Sequence, residues 1–206
     1  MGAGRYDVVV RQPGEAAERA EARRWTAAEI EHALPWLKRA NAQGREVLIR
    51  PAPGEDARLV LMGGLNAAEV ERMRRAGREP AVVVESAPGR LEGWVRVPAC
   101  DEARRWEVLR QLAAERGADP AREEVGRYGR LAGFTNPRER AGEREPWVLC
   151  RASAGREASA GAELVAAAGQ RLEARAQEAA AARERQAREP GRQRGSDRSR
   201  DGGMEL

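Results

Sequence analysis

The strongest constraint on this chain is a set of short, β-branched runs, each closed within a few residues by proline or glycine. Tyr6–Arg11, Glu46–Arg50 and Arg58–Met62 are stopped by Pro13, Pro51 and the pair Gly63-Gly64. Ala81–Glu85 runs into the turn Ala87-Pro-Gly89, and Leu91–Val97 follows it as the second arm of a hairpin. Such runs are too short for helices and suit strands of ordinary length. Pro146–Cys150 reads as a last strand, and residues 12–23 as a polar connector.

Helices are predicted between the strands by their caps. Thr26-Ala-Ala-Glu29 and Asn66-Ala-Ala-Glu69 are capping boxes, in which the cap side chain and the glutamate three residues later satisfy each other's backbone amides. The first opens a stripe of Ile30, Leu34 and Leu37, where Pro35 is expected to kink or restart the helix before Gly44. The second runs towards Gly77. Asp101 opens a third helix, with Trp106, Leu109 and Leu112 on one face and Gly117 at its end. The reading is α+β: one mixed, largely antiparallel sheet flanked by helices.

From Ala162 onward alanine, arginine, glutamate and glutamine dominate, and beyond Leu164, Ala168 and Leu172 nothing large remains to pack. This predicts a domain over 1–160, a long charged helix over 161–189 held by i,i+4 pairs, and a disordered tail over 190–206. Met62 and Met73 read as core filler.

Composition narrows the function. The 37 basic residues include a single lysine, Lys38, and the net charge is +4. Arginine forks match phosphate and base edges, so nucleic acid is permitted without being required. Cys100 and Cys150 form no framework, and one histidine, His32, excludes multi-histidine zinc sites. His32 sits among charged neighbours and is expected at the surface. No apolar run is long enough to span a membrane, and a reduced, cytoplasmic location is expected.

The segment Gly126–Asn136 (Gly-Arg-Tyr-Gly-Arg-Leu-Ala-Gly-Phe-Thr-Asn) concentrates glycine among basic residues and the sole phenylalanine. It matches neither a dinucleotide fingerprint nor a Walker loop. As a glycine-kinked strand it would pack Leu131 and Phe134. As a binding element it would let a phosphate approach the backbone.

With Pro35–Arg39, Asn41–Gly44, Gly77–Pro80, Val83–Glu85, Ala118–Ala121 and Pro146–Leu149, this segment resembles the catalytic domain of RepB-type plasmid replication primases over about Tyr6–Gln170. The resemblance implies a primase-like fold that lays primers on single-stranded DNA from nucleotides, with magnesium or manganese, beside a replication helicase or initiator. It also implies an acidic pair after the Leu-Val-Leu strand, where this chain has Gly63 and Gly64. The third acidic position is Glu124. Glu85 is kept in the second motif, Arg90 and Glu92 stand at its two amide positions, and Arg127 replaces a histidine. Glu92 is the one other candidate carboxylate. Two metals need clustered oxygen ligands. The alternative expectation is therefore a degenerate domain that binds single strands as an accessory module. Arg50, Arg127 and Arg130 would line a basic groove. Trp94 would either stack a base or pack against the Trp106 helix.

Overall fold

The computed structural model describes residues 4–17, 20–54, 58–119, 127–140 and 142–188. Two compact units divide the chain, Met1–Gly169 and Gln170–Leu206. Both sheets and the apolar cores belong to the first. The expectation of a disordered tail falls on residues outside those described.

The strands form two four-stranded antiparallel sheets rather than the single sheet expected. Run lengths and turn signals identify strands, but they do not say which edges meet. The first sheet is built from β1 (Tyr6–Arg11), β2 (Ala22–Trp25), β3 (Glu46–Pro51) and β7 (Gly129–Arg130), in the order β2-β1-β3-β7. The second uses β4 (Leu59–Leu65), β5 (Val82–Ala87), β6 (Arg90–Arg96) and β8 (Leu149–Ser153), in the order β4-β6-β5-β8.

Helix α1 (Ala27–Ala42) covers one face of the first sheet, burying Leu37 against Tyr6, Val8, Val47, Ile49 and Phe134. Its Thr26 capping box forms as expected. The helix continues through Pro35 instead of restarting: the proline is exposed and forfeits one backbone bond, which Leu37 and Ala40 offset by burial. Helices α2 (Ala67–Arg75), α3 (Glu102–Glu115) and the start of α4 (Gly161–Arg188) cover one face of the second sheet. There Val60, Met62, Val83 and Val95 meet Val70, Val108, Leu109, Leu112, Leu164 and Ala168.

Three strand expectations are corrected. The connector 12–23 hides β2, an edge strand of mostly exposed residues with no apolar alternation to betray it. Strand β4 does not stop at Gly63-Gly64 but runs through them to Leu65, with an irregularity in its pairing to β6. The last strand lies three residues later than expected, because Trp147 is taken up in an isolated bridge to Thr135.

Gly126–Asn136 is not one kinked strand. Gly126 lies outside the described residues; Gly129 and Arg130 pair with Ile49 and Leu48 as a two-residue strand, and Thr135 makes the isolated bridge to Trp147. The rest ties elements together. Asn41 Oδ1 accepts the Thr135 N–H at 2.8 Å, and Asn136 Nδ2 donates to the Ser86 carbonyl at 2.7 Å.

Gly129 is where the sheets touch. A Cβ there would lie 3.0 Å from Trp94, 3.2 Å from Glu92 Oε2 and 3.3 Å from Leu61, all from the second sheet. A side chain there would force these neighbours back by a few tenths of an ångström. Gly129→Ala is expected to destabilise the protein by about 1–3 kcal/mol through overpacking, measured by urea unfolding; an unchanged midpoint would show that the sheets are not in contact at this point.

Candidate functional site

The sheet junction carries a cavity of about 350 Å³, walled by Arg11, Arg127, Arg130, Arg138, Tyr128 and Glu92. Each wall residue has a local reason to be there. Arg11 ends β1 and faces Glu46, which opens β3. The Glu46 carboxylate is buried and accepts from Arg11 Nε at 2.9 Å and from an Arg130 terminal nitrogen at 2.7 Å. Arg138 Nε approaches it to 3.2 Å. One hidden carboxylate thus fixes three guanidinium groups, which removes most of the entropy they would lose on meeting an anion.

Glu92 lies on the same face of the second sheet as Trp94, towards the first. Its Oε2 accepts the Arg130 backbone N–H at 2.8 Å. Burial pushes its carboxyl above the usual range, against the Arg130 N–H and the charges of Arg130, Arg127 and Arg90. The cavity therefore holds fixed positive charge beside a carboxyl that resists becoming an anion.

Arg127 occupies the space over Gly63. A Cβ on Gly63 would lie 3.0, 3.1 and 3.3 Å from atoms of its guanidinium. Gly64 has open space beside it but a φ of +65, so any side chain there is strained. Where the resemblance leads one to expect an acidic pair, the structure has two glycines with the Arg127 guanidinium beside the first. Among the described residues no group of three or more histidine, cysteine, aspartate or glutamate side chains is placed to hold a metal. Glu92 is committed to an amide. The described residues do not fit a two-metal centre; Glu124 lies outside them.

The remaining expected residues disperse. Arg50 pairs with buried Asp7 at 3.4 Å and stacks 4.3 Å over the Tyr128 ring, behind the cavity wall. Glu85 projects from the opposite face of its sheet, where it accepts the Gly89 N–H at 3.0 Å and pairs with Arg151. Trp94 is 3 % exposed and packs with Leu61, Val82, Val84 and Val148 against the junction. It has no free face for a base, and it also points away from the Trp106 helix, which packs on the other core. His32 is at the surface, as expected.

Sequence reading missed Glu46, Arg11 and Arg138. The available signal was a lone acid opening an apolar strand, Glu46-Val-Leu-Ile, in an arginine-rich chain. Among the described residues no helix is long and apolar enough to cross a membrane.

The raised Glu92 carboxyl has a pH signature. Between the ordinary carboxylate range and the raised value, the folded state holds more protons than the unfolded, so stability falls as pH rises through that window. Glu92→Gln keeps an oxygen for the Arg130 N–H and removes the titration. Urea unfolding from pH 4 to 8 is expected to show a shallower decline with pH for this variant than for the parent protein; equal slopes would mean that the carboxyl is not desolvated.

Residues 2–191 match the family model of the RepB DNA-primase N-terminal domain. Mobilization protein A of Escherichia coli is 44% identical over 171 residues, which are 80% of this chain and 24% of that protein, so the chain spans about a quarter of this curated relative. The crystal structure of primase RepB' superposes with a TM-score of 0.85 at 42% identity, over 92% of this chain and 65% of that one. The catalytic domain of primase RepB' in complex with initiator DNA gives 0.78 at 44% identity, over 86% and 92%. These likenesses confirm the expected primase-like α+β fold. The chain belongs to the RepB DNA-primase N-terminal domain family.

Proposed function

We propose that this chain is a primase domain for plasmid replication that engages single-stranded initiator DNA and nucleotides through the arginine-walled cavity at its sheet junction. The observation that carries the reading is the agreement of two things. The fold follows that of a RepB' catalytic domain bound to initiator DNA over 86% of the chain. The cavity is walled by four arginines, three of them anchored on the buried Glu46. Fixed guanidinium forks in a concave site suit phosphates, and a strand drawn into it would release counterions. The residues in named roles are Arg11, Arg130 and Arg138 as phosphate contacts and Glu46 as their positioning residue. Glu124 is the carboxylate proposed for catalysis.

One observation favours a second reading. Arg127 fills the space over Gly63 where a metal-binding carboxylate would stand. In that reading the fold and groove persist, and the chain is a single-strand-binding accessory to a polymerising partner.

Labelled nucleotides, manganese and single-stranded origin DNA separate the two. Templated primer product is expected from the first reading; binding without product favours the second. In either, the logarithm of the single-strand affinity is expected to fall linearly with the logarithm of salt, by about 0.7 for each phosphate neutralised. A flat salt response would contradict both.

A further inference from the structure

We propose that the Gly63–Arg127 pair makes this cavity a phosphate-chain site that works without divalent metal, Arg127 supplying the positive charge at the rim. The inference rests on the reading that the cavity faces nucleotide or DNA phosphates, and it adds how they are held.

Position 63 and position 127 are sterically coupled. The guanidinium of Arg127 rests against the bare backbone of Gly63; a Cβ there would lie 3.0 Å from its terminal nitrogen and push the guanidinium aside. A guanidinium in that place reverses the sign of the rim. Carboxylates at 63 and 64 would attract a divalent cation, which would then attract phosphate. Arg127 omits the intermediate step and offers planar, paired donors that match phosphate oxygens directly.

The surroundings agree. Arg11, Arg130 and Arg138 converge on the same cavity, with their orientation fixed by Glu46. Two carboxylates line the cavity, Glu15 and Glu92, and each spends one oxygen on a backbone amide, that of Gln12 and that of Arg130. With four arginines against these two engaged carboxylates, the lining suits a polyanion better than a free cation. Two sources share the chemistry: the triphosphate of a free nucleotide, or consecutive phosphates of a single strand.

Titration calorimetry of the full chain with inorganic tripolyphosphate tests the inference, in EDTA and in magnesium. The dissociation constant in EDTA is expected within about twofold of that in magnesium, since direct charge-assisted hydrogen bonds carry the binding. Arg127→Ala is expected to weaken it about tenfold or more in EDTA, the loss of one charged hydrogen-bonding group. Gly63→Asp, which places a carboxylate against Arg127, is expected to do the same by pairing with it. Binding abolished by EDTA in the parent protein, or undiminished in both variants, would overturn the inference. Fluorescence anisotropy with a labelled single strand, on the same proteins, separates this from the reading beneath it. Strand binding without tripolyphosphate binding overturns the inference alone; loss of both overturns the cavity's assignment as well. ATP that displaces the strand assigns the site to backbone phosphates, and ATP that binds beside it assigns the site to a nucleotide.

Discussion

The structure depends on a contact two residues long. Gly129 and Arg130 pair with Ile49 and Leu48 on the first sheet, while the Arg130 amide is held by Glu92 of the second. At the same point the bare backbone of Gly129 lets Trp94 and Leu61 close against it. An amide bonded to a buried carboxyl is costly to break, because the partner left behind would be buried and unsatisfied. The glycine removes the volume that would otherwise hold the sheets apart. Fold and cavity thus share one cause: the strand that joins the sheets also carries Arg130 into the space between them.

The charge pattern follows from the same place. Glu46, at 0% exposure, would be expensive to bury alone, and the guanidinium groups of Arg11, Arg130 and Arg138 compensate it. Such a cluster need not add net stability. What it provides is orientation, with several long side chains held at one rim of the cavity. Arg50 does similar work behind the wall by holding buried Asp7 and stacking on Tyr128.

Much of the fold was legible because it is written locally. The capping boxes at Thr26 and Asn66 formed as read, since a cap and its partner lie three residues apart. The strand runs were found for the same reason. What was missed depends on distant residues. Strand β2 is an edge made of Ala-Arg-Arg-Trp, and only its pairing with β1 makes it a strand. Trp94 was read as stacking a base or packing against the Trp106 helix, because its spacing does not reveal that Gly129 closes over it. The family resemblance led to the expectation that Gly63 and Gly64 stand where an acidic pair belongs. That Arg127 fills the space over Gly63 was not legible, because the two positions are brought together only by the junction. Glu46 escaped notice because an acid at the start of a strand is usually solvated.

The claim on which all of this rests is that Glu92 clamps the Arg130 amide and so fastens the sheets. Hydrogen exchange at that single amide tests it most directly. The account predicts protection approaching that of the core strands β1 and β3, falling sharply in Glu92→Ala. Exchange at the rate of an open loop in the unaltered protein would contradict it.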